Sequence, residues 1–430
     1  MPHPARRLAH SDKKSIFAWV VYDYANSAFP TVISTFVFAA YFTKAVAPSE
    51  TEGTFLLGNA TAAAAFGVAV LSPILGAIAD RSARLKPWLL SFSLATILIT
   101  AALWTVEPDV SFAMRALILI ALGTLTFELA GVFYNAMLVR LAPKEKLGRI
   151  SGLGWAVGYA GGLSCLVASL FLFVQADPPP FGLDKDKVEH VRATALLVAV
   201  WFAIFSLPML FLMKEQAPAA SAKPPVSQSL SQLWQTVKSL RLSSPLGRFL
   251  LARMLYADGL TTLFAFGGVY AAGTFGMPFD EIILFGISLN VTAGLGAFAF
   301  GYIDDKVGSK ETILIALGGL ILFGVLALAA PDKLWFWVAG MALGLFMGPV
   351  QSASRTFMAR LAGEKKQAEA FGLFAVSGKV TNFAGPLLLG WATLAFDSQR
   401  AGMATIILFL IAGALLLRGV RIDRADMGST

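Results

Sequence analysis

Thr54 to Lys86 reads TFLLGNATAAAAFGVAVLSPILGAIADRSARLK. Its first 26 residues, Thr54 to Ala79, carry no charge, and Leu, Ala, Phe, Val and Ile recur without period-two alternation. A hydrocarbon core of about 30 Å needs around 20 mostly apolar residues in one helix, because every backbone N–H and C=O must find its partner inside the segment. This stretch is long enough, and it stops at Asp80-Arg81, where a helix leaves the hydrocarbon. Its internal Gly67, Pro73 and Gly76 are tolerated in bilayer helices and avoided in soluble ones.

The same pattern repeats along the whole chain of 430 residues, 57% hydrophobic and 14% charged; an ordinary soluble domain is about a quarter charged. Twelve spans are expected, over 16–43, 54–79, 88–106, 112–139, 150–174, 193–213, 247–273, 280–303, 312–330, 334–359, 368–396 and 401–418. None alternates with period two, so a β-barrel is a poor reading and an all-α, multi-pass integral membrane protein is the expected class. The net charge of +8 does not point to nucleic acid. Most of the 34 Lys and Arg lie on the side shared by the N-terminus, the long central loop and the C-terminus. By the positive-inside rule that side is cytoplasmic, which puts both termini there, in a bacterial inner membrane. The single Cys165 lies in an apolar span and can form no internal disulfide. Arg6 and Arg7 precede a first span that carries Asp23 and Asn26 and lacks a small-residue cleavage pattern, so that span is expected to be retained.

An Ala-, Pro- and Ser-containing break divides the chain into a six-helix bundle over 1–213, a cytoplasmic linker over 214–245 and a second bundle over 246–430. Within the linker, Leu230, Leu233, Trp234, Val237 and Leu240 recur at helical spacing beside Lys238 and Arg241. That suits either a helix lying on the inner membrane surface or a plain linker helix. The halves also resemble each other. Arg140-Leu141-Ala142, Gly152-Leu153 and Gly158 align with Arg360-Leu361-Ala362, Gly372-Leu373 and Gly378 at one offset of 220 residues, as expected where two repeats enclose a central site.

After the second span stand Gly76, Asp80, Arg81 and Arg84, and after the eighth stand Gly301, Asp305, Lys306 and Lys310. Both runs resemble the loop motif of the major facilitator superfamily, G-x-x-x-D-[RK]-x-[GR]-x-[RK] in outline. The first has Ala83 where the motif usually has Gly; the second keeps Gly308. A small residue lets helices approach, while a carboxylate can bridge loop cations and cap a neighbouring helix N-terminus at a cytoplasmic gate. The resemblance implies twelve transmembrane helices in two pseudo-symmetric six-helix bundles.

A closer resemblance lies in Trp19-Val-Val-Tyr22-Asp23-Tyr24-Ala25-Asn26-Ser27, in Phe133-Tyr134-Asn135-Ala136, in Ser151 to Tyr159, in Ala375 to Lys379 and in Gly385 to Gly390. Together these are similar to the vacuole-effluxer-like branch, related to the autophagy-linked vacuolar amino-acid effluxers. That implies export of amino acids or similar small solutes by a secondary transporter. Gly154-x-x-x-Gly158-Tyr159 approximates an antiporter motif but has Tyr159 where Pro is usual, which puts drug and proton antiport in doubt.

Six ionisable residues lie inside the spans at least four residues from either end: Asp23, Glu128, Arg253, Asp258, Arg355 and Lys379. None is on spans three, six, nine or twelve. A charge at the bilayer centre costs at least about 2.5 kcal/mol, so each is expected to face water, a partner or solute. Asp23, Arg253 and Arg355 lie near the cytoplasmic ends, where a long side chain can snorkel or pair locally, while Glu128, Asp258 and Lys379 are near mid-span. Asp23 and Asn26, Gln351 and Arg355, and Lys379 and Asn382 each share a helical face. With Asn135 they are the candidate solute or coupling residues. Either Arg355 or Lys379 receives a carboxylate, while Asp23, Glu128 or Asp258 receives an amine or a proton. Proton coupling needs a carboxylate tuned by burial, and all three His residues lie outside the spans.

No Walker-type loop, His-Glu-x-x-His helix or Cys cluster occurs, so no cofactor, metal or catalytic residue is expected. A lipid-acting enzyme would need a nucleophile with a base, and no His stands in the spans to serve Ser or Thr. A solute-sensing receptor of the same shape, or a drug, sugar or organic-acid carrier, remains an alternative. A monomer with a small-molecule partner in the lipid bilayer is the expected assembly.

Overall fold

Every apolar stretch becomes helix because the chain must satisfy its own backbone where no water can. The computed structural model describes residues 13–82, 84–141, 143–214, 231, 233–235, 238, 244–362 and 366–420. Among these there is no strand, and eleven helices are long and apolar enough to cross a membrane. The helices are α1 (Lys13–Val46), α2 (Glu50–Ser82), α3 (Lys86–Ala102), α4 (Ala113–Leu141), α5 (Leu147–Ser169) and α6 (Glu189–Leu212). They continue as α7 (Pro245–Phe275), α8 (Phe279–Val307), α9 (Ser309–Leu328), α10 (Lys333–Leu361), α11 in two pieces (Gln367–Ser377 and Ala384–Phe396) and α12 (Gln399–Arg418). The twelve form two six-helix bundles. Phe66, Leu98, Phe211, Leu334, Leu394 and Leu408 are exposed on the outside, which only a lipid solvent makes tolerable.

The repeat seen in the sequence is realised as matching contacts. Lys86, at the start of α3, donates to the carbonyls of Leu210 (2.7 Å) and Met213 (2.9 Å) after α6; Lys310, at the start of α9, donates to that of Val420 (2.7 Å) after α12. Arg192 in α6 donates to Trp104 O, and Arg400 in α12 to Leu328 O and Ala330 O. Asp109 and Asp332 cap the starts of the fourth and tenth spans through Ser111 N and Trp335 N. Arg192 lies inside α6 and is buried, so the sixth helix begins earlier than the expected residue 193.

Two further differences bear on function. The eleventh span is not continuous over 368–396: residues 378–383 form turns closed by bonds such as Lys379 N to Val376 O and Ala384 N to Thr381 O. Pro386 has no N–H to continue the ladder, and Gly378 has no side chain, so Arg253 Nη1 comes within 2.7 Å of where its Cβ would stand. Lys379, Asn382 and Pro386 therefore do not share one helical face. In α1 the outer half is widened: Pro30 starts a π-type stretch, Phe29–Phe36, in which Val37 N bonds Val32 O. Of the expected linker, Ser231, Leu233, Trp234, Gln235 and Lys238 are helical. Leu230, Val237, Leu240 and Arg241 lie outside the described residues.

Candidate functional site

The two loop motifs meet the opposite bundle at the same membrane face. Asp80, ending α2, accepts from the N–H groups of Ala368 (2.9 Å) and Glu369 (2.8 Å) at the start of α11. Asp305, ending α8, accepts from Gly148 N (2.8 Å) at the start of α5 and from Arg149 Nε (2.5 Å). Each carboxylate faces the positive end of a helix dipole with unsatisfied N–H groups. Gly76 makes this possible: a Cβ there would stand 2.3 Å from Ala368 O. Gly301 is its counterpart, with 2.9 Å to Gly148 O. Gly152 and Gly372 repeat the arrangement against Ala297 O and Ser72 O, at 2.3 and 2.6 Å. The cations of the motifs behave differently. Lys306 and Arg84 are exposed, Arg81 Nε is buried without a hydrogen-bond partner among the described residues, and Lys310 is tied to α12. From outside the motif, Arg360 joins Asp305 to its neighbour Asp304, standing 2.8 Å from Asp304 Oδ1 and 3.8 Å from Asp305 Oδ1.

Behind this seam Arg355 reaches from α10 into the other bundle. It does not snorkel: it is 3% exposed. Its Nε and Nη2 donate to Ser151 Oγ (2.9 Å) and Ser151 O (2.6 Å) on α5, and its Nη1 lies 3.4 Å from both Asp23 Oδ2 and Asn135 Oδ1. The guanidinium carbon stands 4.7 Å from the ring of Trp19, 5.6 Å from Tyr134 and 5.7 Å from Trp155. Trp19 and Tyr134 are stacked at 4.5 Å and each donates to the other's carbonyl, which locks both rings. Asn135 and Arg355 are themselves separated by the repeat offset of 220. They are equivalent residues that meet near the pseudo-two-fold axis.

Deeper in the bundle, Glu128 of α4 and Lys379 at the break in α11 form an ion pair of 2.7 Å, with side chains 26% and 29% exposed. Gly131, one turn further on α4, has nothing within 4 Å of where a Cβ would stand, so the pair faces open space. The break is held from α7. Arg253 donates to Ser377 Oγ (2.8 Å) and to Phe374 O. Asp258, wholly buried, accepts from Gly385 N (3.1 Å) with Oδ2, while its Oδ1 has no partner among the described residues. Asn382 Oδ1 is also buried and unpartnered among them.

Gln351 donates to Tyr159 OH (3.2 Å), a further contact between halves, and Asn26 is buried, with a 3.5 Å contact from Ser27 Oγ. The structure thus gathers the candidates into two groups, Asp23, Asn135 and Arg355, and Glu128 and Lys379, with Asp258 and Asn382 beside the latter. A cavity of about 630 Å³ opens towards the opposite face, lined by Pro30, Thr31, Phe264, Asn290, Phe336 and Met347 among others; neither ion pair lines it. Sequence reasoning missed Trp19, Tyr134, Ser151 and Trp155 around Arg355, and Arg360. Trp19 and Asp23 at i and i+4 on one helical face were the available signal.

The family described as vacuole effluxer Atg22 like matches residues 49–428. An uncharacterised MFS-type transporter of Bacillus subtilis, YxiO, is 28% identical over 405 residues, 93% of each chain. Autophagy-related protein 22 of Kluyveromyces lactis is 23% identical over 376 residues, 79% of this chain and 73% of that one. Among solved structures, the E. coli fucose:proton symporter FucP superposes with a TM-score of 0.70 at 16% identity, covering 97% of this chain and 100% of its own. A bacterial homologue of the iron transporter ferroportin, in its outward-facing state, gives 0.68 at 14%, covering 95% and 98%. At these identities the two structures speak to the fold alone.

Proposed function

The chain belongs to the vacuole effluxer Atg22-like family of major facilitator transporters, and from that premise we propose that it exports an amino acid or related zwitterion by alternating access. The observation that carries the proposal is the Glu128–Lys379 pair. Opposite charges from the two halves touch at mid-span beside open space and beside a half-helix that begins at Ala384. A zwitterion can replace both partners at once, its carboxylate on Lys379 and its amine on Glu128, so that the charges stay compensated while the halves separate. Discontinuous helices with such ends are where repeat-built transporters hold charged solutes. The effluxer description of the family supports export as the direction.

The bundles over 1–213 and 246–430, joined by 214–245, are the units that rock. With both termini in the cytoplasm of a bacterial inner membrane, the motif face is cytoplasmic and the conformation described here is closed to it. Asp258, buried with one oxygen unpartnered among the described residues, is the candidate for a coupling proton. The chain works as a monomer. The apolar lining of the 630 Å³ cavity favours, as a second reading, a hydrophobic drug-like solute.

Counterflow in liposomes tests this. Vesicles preloaded with unlabelled amino acids are expected to accumulate labelled ones, and Lys379→Ala and Glu128→Gln to abolish the uptake. Unchanged flux in both variants would remove the proposal, and accumulation of a labelled hydrophobic amine in place of amino acids would favour the second reading.

A further inference from the structure

All the groups around the Arg355 guanidinium belong to the N-terminal half, while Arg355 itself belongs to the C-terminal half. When the halves part at the motif face, Arg355 leaves and its surroundings stay behind intact, because Trp19 and Tyr134 are fixed to each other and not to Arg355. What stays is three aromatic faces, the Asp23 carboxylate and the Ser151 and Asn135 oxygens. That is a complete receptor for an organic cation, with ring quadrupoles and a carboxylate on the same small volume. One further group points to a ligand: Trp155 Nε1 is buried and has no hydrogen-bond partner among the described residues, although its ring already faces the guanidinium. It is a spare donor beside a cation site, the complement of an anionic group carried on the same solute.

We propose that the cage of Trp19, Tyr134, Trp155 and Asp23 is a loading site for the amine or guanidinium end of the solute, and that Arg355 occupies it as a tethered competitor whenever the motif face is closed. The site is distinct from the central pair. Asn135 and Glu128 share a face of α4 seven residues apart, which places the cage about 10 Å nearer the motif face. Solute arriving from that face meets the cage first. Closure then requires Arg355 to return and evict the cation, and the next carboxylate along the same helix face is Glu128. Competition between side chain and solute makes the hand-off directional without any other moving part. The inference rests on the transporter reading for the hand-off but not for the cage itself.

The test uses full-length protein and methylguanidinium as probe. Arg355→Ala empties the cage, so calorimetry is expected to show saturable methylguanidinium binding about tenfold or more tighter than in wild type, where Arg355 competes, and weakened again about tenfold or more by adding Asp23→Asn. In wild type, nitroxides at Lys146 and Glu311, exposed on the motif face of the two halves, report opening. Methylguanidinium, but not equal sodium chloride, is expected to lengthen that distance by displacing Arg355. Absence of saturable binding, or binding indifferent to Asp23→Asn, overturns the cage. If Arg355→Ala does not fold, an unchanged wild-type distance distribution overturns it instead. Amino-acid counterflow run alongside separates the two claims: flux without cage binding removes the cage and leaves the transporter, and cage binding without flux does the reverse.

Discussion

Gly76→Ala adds one methyl group at one of the two tightest glycine contacts of the seam between the bundles. The new Cβ would stand 2.3 Å from Ala368 O, 2.6 Å from Ala368 C and 2.9 Å from Glu369 N, where ordinary contact begins at 3.4 Å. These are backbone atoms and cannot rotate away, so α2 and α11 must separate by about 1 Å or the closed state must be lost. Overpacking of this kind costs about 1–3 kcal/mol. Because α2 and α11 belong to different halves, opening relieves the clash while leaving each bundle intact, so the cost falls on the closed state alone. That converts to about a 5- to 150-fold shift of the closed-to-open ratio, at about 1.4 kcal/mol per tenfold. Gly390→Ala is the control, since nothing lies within 4 Å of its Cβ position and it changes helix propensity by the same amount. Distance distributions between nitroxides at Lys146 and Glu311 in reconstituted protein read the ratio. Indistinguishable distributions for the two variants would refute the reasoning that the glycine sets the seam.

Asp80→Asn and Asp305→Asn each exchange charge-assisted bonds to a helix N-terminus for neutral ones, and the opening ratio measured by the same labels is expected to rise about tenfold per variant. For the Glu128–Lys379 pair, a double-mutant cycle on thermal unfolding is expected to return about 1 kcal/mol or less, since both groups are about a quarter exposed and screened, so their large effect belongs in flux and not in stability. Asp258→Asn keeps an acceptor for Gly385 N–H and is expected to unfold near the wild-type temperature, whereas Asp258→Ala loses the cap and about 1 kcal/mol. Equal destabilisation by both would show that the carboxylate acts otherwise than as a cap.

Spans, loops and the motif carboxylates were legible because each depends on nearby residues. Asp80 and Asp305 were readable as caps since a carboxylate just past a helix end has few other uses, yet their cations were misjudged. Lys310 turned to Val420 O and Arg360, outside the motif, took its place beside Asp304 and Asp305. Arg355 was readable as an intramembrane charge but not as an intruder in the other bundle. The break at Lys379 was marked by Gly378 and Pro386, but a Gly and a Pro also stand within α2, which stays helical over Glu50–Ser82. What differs is the neighbourhood: Asp258 takes the Gly385 N–H and Arg253 donates to Phe374 O, two backbone groups of α11 at the break.

By itself the sequence determined that this chain lives in lipid, crosses it twelve times and is built as a duplicate, because transfer free energy is a property of each side chain and a repeat is a property of the order. Only the tertiary structure decided which face is shut, which cation meets which carboxylate and where a helix comes apart. Those depend on groups such as Glu128 and Lys379, or Asp23 and Arg355, drawn together from opposite halves of the chain. The energy of a charge in a membrane is set by its partner, and the partner is chosen by packing.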